Sequence, residues 1–262
     1  MIPKIIHYTW FSGDPFPKKI QECIDSWHQY MPEYEFRKWD ADSIKDIDSV
    51  WLKECIENKM WAFAADYVRL YAVYHCGGIY LDTDCMVFRS FDDVLDNRFF
   101  IGRESVPYVL LERQINVFLT SHCFGAEAGH PFNQLMLEYY DGRHFLTSQS
   151  QRIPKHLRMD MMMMPYQHSE IAKLFGYDAS LKACAEQLLE EGIHVYPRQY
   201  FGEMTRKPNA PLQHCLHLGA GSWREKRGAD HTRYTLGYKI CWRVVAAYKW
   251  LVEKTGYLPI KY

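Results

Sequence analysis

An α/β fold built around parallel strands is what this sequence predicts, and three observations predict it. Residues 4–10 (Lys-Ile-Ile-His-Tyr-Thr-Trp) are a short, largely apolar run with the pattern of a buried strand. Ile20, Cys23, Ile24, Trp27 and Met31 then recur at helical spacing. Residues 34–39 return to strand-like composition once Pro32 has closed the helix. Strand, helix and strand in that order form the crossover unit of open sheets, whose ligands bind beyond the carboxyl ends of the strands. Trp10 and Asp40 stand at two such ends.

The remaining elements follow the same logic. Residues 12–17 (Ser-Gly-Asp-Pro-Phe-Pro) are turn chemistry. Residues 60–76 predict a helix whose inward stripe is Phe63, Tyr67, Leu70, Tyr71 and Tyr74, stopped by Gly77 and Gly78 where a left-handed cap fits. Residues 79–82 are a short buried strand that delivers Asp82-Thr83-Asp84 into a polar turn, and further strands are expected at 99–102, 123–126 and 194–196. Periodicity fails between about 141 and 168, so a loop or small subdomain is expected there, within an insertion or acceptor subdomain spanning about 141–194. Its methionines at 161–164 suit core filling or an adaptable acceptor mouth. A last helix is predicted over 236–252, with Leu236, Ile240, Val244, Tyr248 and Leu251 inward. Its other faces carry Lys239, Trp242, Arg243, Lys249 and Trp250, which read as a solvated surface or as a peripheral membrane contact.

Composition narrows the class. The 262 residues fit one domain, and 48% hydrophobic with 24% charged residues is the balance of a globular chain. A net charge of -1 argues against nucleic-acid binding through the overall field. The 8 cysteines contain no C-x-x-C pair, which removes zinc-ribbon and thioredoxin-like readings. The N-terminus lacks the pattern of a signal peptide, and no run approaches the ~20 apolar residues of a membrane span. A reducing, cytoplasmic location is therefore expected. Neither a G-x-G-x-x-G after a strand nor a P-loop occurs, so nicotinamide and NTPase readings lack their phosphate-binding signatures.

The chemistry concentrates around Asp82 and Asp84. Two carboxylates one residue apart at a strand end repel each other near neutral pH, and a divalent cation or donor hydrogen bonds relieve that repulsion. Alone, the pair also reads as a turn whose aspartates bond local backbone. Asp66 and Arg69, spaced i and i+3 on the preceding helix, can lie side by side. On a surface such a pair is worth only ~0.3 kcal/mol. Here Ala62, Phe63, Ala64, Ala65, Val68 and Leu70 surround it, which argues against full exposure.

Residues 65–84 (Ala-Asp-Tyr-Val-Arg-Leu-Tyr-Ala-Val-Tyr-His-Cys-Gly-Gly-Ile-Tyr-Leu-Asp-Thr-Asp) resemble the signature of glycosyltransferase family 32, the DXD-containing sugar transferases. That family includes bacterial capsule and lipopolysaccharide transferases and a fungal initiating mannosyltransferase. Ala65 stands where serine is common. Residues 2–10 are similar to the family's first strand, residues 125–131 to its middle motif, and residues 214–223 to its C-terminal His-to-Ser-Trp element.

The resemblance implies a GT-A fold, a Rossmann-like mixed sheet flanked by helices, and a retaining transferase that uses a UDP- or GDP-sugar with Mn2+ or Mg2+. Carried over residue by residue, Trp10 would stack on the nucleotide base with the Thr9 backbone beside it. Asp66 and Arg69 would hold donor-sugar hydroxyls, and Asp82 would contact ribose or sugar, directly or through a water on the metal. Asp84 would coordinate the metal, His217 would complete the metal and diphosphate shell, and Ser222 and Trp223 would clamp the diphosphate. Ser121 and His122 are both candidates for the polar group near the reaction centre. On this division Arg69 touches the sugar alone, so its loss should spare the affinity for free nucleoside diphosphate.

The acceptor implied is a glycan or lipid-linked glycan hydroxyl at a growing surface polysaccharide. Glu127, in the middle motif, is expected to be solvated rather than a catalytic base. Two rival readings share these residues: a metal-dependent nucleotide-sugar hydrolase or phosphodiesterase, and an inactive carbohydrate-binding scaffold. The hydrolase would need further carboxylates for a second metal. The intact set of Asp66, Arg69, Asp82, Asp84 and His217 speaks against the scaffold.

Overall fold

The computed structural model describes residues 1–104, 118–150, 158–160, 162, 164–181, 185–202 and 211–219. The chain alternates as expected at its start: β1 (Ile5–Thr9), α1 (Lys18–Tyr30), β2 (Glu35–Trp39), α2 (Val50–Glu57), α3 (Trp61–Cys76) and β3 (Gly78–Leu81). It continues through β4 (Cys85–Val87), β5 (Phe99–Glu104), β6 (Phe118–Ala126), α4 (Pro131–Glu138), α5 (Met164–Ala172), β7 (Gln187–Leu188), β8 (Ile193–Tyr196) and β9 (Cys215–His217).

Seven strands make a mixed sheet in the order β2-β1-β3-β6-β5-β8-β7. β1 lies between β2 and β3 and runs parallel to both, so the carboxyl ends of β1 and β3 open on the same edge. β6 is antiparallel to β3 and β5, and β8 returns parallel to β5. The mixed sheet flanked by helices that the resemblance implied is thus present.

Period-two alternation assigns side chains to two cores. On one face Tyr80, Phe99, Ile101 and Phe124 pack with α2, α3, α4 and α5. On the other, Ile6, Ile79, Leu81, Phe100 and Cys123 pack with α1 and residues 85–95. Covered on both faces, β3 is buried at every position, which is why Gly-Ile-Tyr-Leu shows no polar alternation.

Three expectations need correction. The stripe predicted for residues 60–76 is not the buried face: Ala64, Ala65, Val68, Arg69, Leu70, Ala72 and Val73 are buried with Phe63, while Tyr67, Tyr71 and Tyr74 ride half-buried on the flank. Small residues let α3 sit close to the sheet, and the large rings are displaced outward. The strand expected at 123–126 begins five residues earlier, at Phe118. Helices α2, α4 and α5 fall where no helix was predicted, α5 starting inside the stretch expected to be aperiodic; Ser49 caps α2 from its side chain, and the His130 ring caps α4 just before Pro131.

Within the aperiodic stretch, Phe145, Met159 and Met164 join the same core as α2 and α3. Those two methionines fill core space, whereas Met161 and Met163 lie outside the described residues. Gly77 and Gly78 take φ of +64° and +108°, and a Cβ on Gly78 would lie 2.7 Å from the Ile5 carbonyl oxygen. Glycine is therefore required both to turn α3 into β3 and to let β1 approach. His7 locks the junction: its Nε2–H donates to the Gly77 carbonyl (2.8 Å) and its Nδ1 accepts from the Trp39 indole (3.1 Å).

All described residues belong to one unit of close contacts, Met1–Val106 with Asn116–Ala220. The predicted helix at 236–252, with its membrane reading, lies outside them, as do Ser222 and Trp223. No helix among the described residues is long and apolar enough to cross a membrane.

Candidate active site

β1 ends at Thr9 and β3 at Leu81, so Trp10 and Asp82 leave the sheet on its shared carboxyl edge. The Asp82 N–H donates to the His122 carbonyl (2.9 Å), and the Cys85 N–H donates back to the Asp82 carbonyl (2.9 Å). Asp82-Thr83-Asp84-Cys85 is therefore a closed turn, but it is held by backbone bonds, and the Asp82 carboxylate bonds the Tyr80 and Arg69 side chains rather than the local backbone that the turn reading expected.

A two-stranded ribbon brings in the third member. β4 pairs antiparallel with β9, setting Cys85 opposite His217, and the Leu218 N–H donates to the Asp84 carbonyl (3.0 Å). His217 Nε2 lies 3.2 Å from Asp84 Oδ1. One ligand atom each from Asp82, Asp84 and His217 falls within 4.8 Å of the others. Two carboxylates and one imidazole are a donor set that fits Mn2+ or Mg2+, the nitrogen favouring the former. Burial opposes protonation of His217, but the hydrogen bond and charge of Asp84 outweigh it and raise its pKa. A cation seated here takes over the role of that proton.

Arg69 stands behind this turn, 4% exposed, with every guanidinium nitrogen engaged. Nη2 lies 3.1 Å from Asp66 Oδ1 and 3.3 Å from Asp82 Oδ1. Nη1 donates to the Ser121 carbonyl (2.6 Å) and Nε to the Ala65 carbonyl (3.1 Å), while the guanidinium carbon sits 4.6 Å from the Tyr80 ring centroid. One cation thus holds the helix carboxylate and the strand-end carboxylate together.

Residues 17–100, which carry Asp66, Arg69, Asp82 and Asp84, match the family described as the glycosyltransferase sugar-binding region containing the DXD motif. Over that stretch the chain is similar to the DXD-containing glycosyltransferases. It is 30% identical over 138 residues to inositol phosphoceramide mannosyltransferase 3 of Schizosaccharomyces pombe, covering 50% of this chain and 35% of that protein. It is 28% identical over 159 residues to the uncharacterized glycosyltransferase L373 of Acanthamoeba polyphaga mimivirus, covering 56% of this chain and 61% of that one. The chain thus matches about a third to three fifths of the length of these relatives. Among solved structures, the glycosyltransferase GlyE of Streptococcus pneumoniae TIGR4 overlaps 97% of this chain and 64% of its own, with 9% identity and a TM-score of 0.44.

Tyr80 is the member of this site that the sequence reading missed. Its hydroxyl donates to Asp82 Oδ1 (2.9 Å) and lies 3.2 Å from the Thr9 hydroxyl, which donates to it. The signal was available: Tyr80 stands two residues before Asp82, hence on the same side of the extended chain. Thr9 consequently joins the network through its side chain as well as its backbone. The Trp10 indole N–H donates to the Asp14 carbonyl (2.7 Å), and its ring packs edge-on to Phe16 at 4.9 Å, which fixes the plane of the half-buried indole.

Ser121 and His122, equivalent in the sequence, are separated by the geometry of the site. Ser121 is half-buried beside Arg69. His122 is 2% exposed, and its Nε2–H is committed to the Phe201 carbonyl (2.9 Å). A group so enclosed does not reach a reacting hydroxyl.

Asp66 carries a pH consequence. Burial raises its carboxyl pKa, the Arg69 charge partly offsets this, and Asp82 adds to the rise, to about 7. An unfolded aspartate titrates near ~3.9. Between roughly pH 4 and 7 the folded chain keeps a proton that the unfolded chain has released, so this group's effect is to lower stability as pH rises through that window and to level off above it. Asp66→Asn cannot ionise. Its melting temperature relative to wild type should therefore be higher at about pH 8 than at about pH 4.5. Thermal melts at both values check this, and an equal difference at the two pH values contradicts it.

Proposed function

We propose that this chain transfers a hexose from a UDP- or GDP-sugar to a hydroxyl of a glycan or lipid-linked acceptor, with retention at the anomeric carbon. The observation that carries the reading is the meeting of Asp82, Asp84 and His217 beside the Asp66–Arg69 pair, at the carboxyl edge of β1 and β3. Asp82, Asp84 and His217 would hold a divalent cation, whose charge stabilises the negative charge that grows on a departing nucleoside diphosphate. Trp10 offers a fixed indole for the base. Asp66, the less buried member of the pair, offers its carboxyl group to sugar hydroxyls, while Arg69, its nitrogens all engaged within the protein, and Tyr80 orient Asp82. Mannose is the first donor sugar to test, being the one named for the fungal relative.

A screen of nucleotide sugars for donor hydrolysis needs no acceptor. One UDP- or GDP-hexose should be cleaved slowly, with activity lost in excess EDTA and restored by Mn2+. Cleavage unchanged in EDTA would remove the metal from the reading, and no cleavage of any donor, with no binding of any nucleoside diphosphate, would remove the donor site. A two-metal phosphodiesterase is less well supported, because the described residues group metal-ligating side chains in this one cluster of three.

Base recognition is tested by Trp10→Ala, expected to weaken nucleoside diphosphate binding by ~1–3 kcal/mol, the value of one base stacked on an aromatic ring. Calorimetry reads this directly, and unchanged affinity would put the base elsewhere.

Retention is supported by where Glu127 lies. It pairs with Arg98 (3.3 Å) and the Met1 amine (2.5 Å), one residue beyond Ala126, which is paired with Gly78 at the opposite end of β3 from Asp82. Four strand residues put it roughly 13 Å from the cation cluster. Glu127→Gln should keep substantial activity, and the product's anomeric proton should show the donor's configuration by NMR. An inverted product with activity lost in that variant would reverse the mechanism.

A further inference from the structure

The His122 ring, unavailable for the reaction centre, lies face to face with His217: the centroids are 4.3 Å apart and the planes 15° from parallel. Its own position is fixed from three sides. Nε2–H donates to the Phe201 carbonyl (2.9 Å), the His122 carbonyl accepts the Asp82 N–H (2.9 Å), and Gly202 backs the ring so closely that a Cβ there would sit 2.9 Å from both Cε1 and Nε2. One residue of β6 thereby touches two members of the cation cluster, holding Asp82 through its backbone and covering one face of His217 with its side chain.

We infer that His122 is a positioning residue for the cation cluster, its stacked ring restricting His217 to the orientation that points Nε2 at Asp84. This rests on the cation-dependent reading above. The physical reason is preorganisation. An imidazole held by a neighbour loses less rotational freedom when it ligates, and contacts behind metal ligands are commonly worth 10–100-fold in metal affinity.

Three variants of the metal-free protein, titrated with MnCl2 by calorimetry and by the loss of the free Mn2+ electron-spin signal, test this without any turnover. His122→Ala is expected to bind Mn2+ about 10-fold more weakly or worse. His122→Phe, which restores a flat ring over His217, should recover most of that loss. Gly202→Ala pushes on the His122 ring while touching no proposed ligand, and should also weaken binding. Circular dichroism and melting curves establish that each variant is folded.

Folded His122→Ala binding as tightly as wild type overturns the inference, as does His122→Phe binding as weakly as alanine. If alanine does not fold, the other two decide: His122→Phe binding like wild type with Gly202→Ala weakened supports the inference, and unchanged Gly202→Ala overturns it. Wild type that binds neither Mn2+ nor Mg2+ removes the cation itself, a failure distinguishable from a wild type that binds while all variants match it.

Discussion

Replacing Arg69 with methionine should destabilise the protein by about 3–5 kcal/mol, because removing one partner of a buried charge cluster leaves the others uncompensated. The guanidinium is 4% exposed and bridges Asp66 and Asp82, so its loss sets two carboxylates facing each other and frees the carbonyls of Ala65 and Ser121. At ~2–4 °C per kcal/mol for a chain of this size, the melting temperature should fall by roughly 10 °C. Adding Asp82→Asn should return part of the loss, since contacting residues are not additive. A melting temperature unchanged in Arg69→Met would mean that the cluster contributes nothing to the fold.

The same geometry revises what the sequence implied for nucleotide binding. Read as a sugar contact alone, Arg69 should be dispensable for nucleoside diphosphate. Because it also holds Asp82, one of the three cation-cluster residues, its removal should weaken nucleoside diphosphate affinity as well as turnover. Calorimetry on Arg69→Lys, which keeps the charge but not the fork, separates the two contributions.

Asp84→Asn should lower transfer by at least about 10²–10³-fold, the range seen when one fixed charge-stabilising contact is removed. The fold should survive. The Asp84 backbone keeps its bond from Leu218, and the loss of one of two neighbouring carboxylates relieves repulsion in the metal-free protein. Its melting temperature without metal should stay close to that of wild type, the relieved repulsion offsetting the weakened Asp84–His217 contact. With Mn2+ at 100 times its dissociation constant, wild type should gain about 2.7 kcal/mol and the variant should gain little. A variant that Mn2+ stabilises as strongly as wild type would remove Asp84 from the cation site.

Sequence alone determined the start of this fold and which residues gather around the end of β3. The alternation of β1, α1 and β2, the helix that ends at Gly77-Gly78 and the strand that delivers Asp82 are set by local periodicity and by glycine's access to positive φ, which act over a few residues. Asp66, Arg69, Asp82 and Asp84 were legible for the same reason, being near neighbours on one helix and one strand end. Tertiary structure alone decided the rest. His217 reaches Asp84 because β9 pairs with β4, Arg69 is buried because α3 packs its small residues on the sheet, and Ser121 and His122 part because Phe201 and Gly202 close over one of them. Each depends on contacts between segments distant in the chain, where close packing and the pairing of buried polar groups, rather than local preference, choose among arrangements that the sequence leaves equivalent.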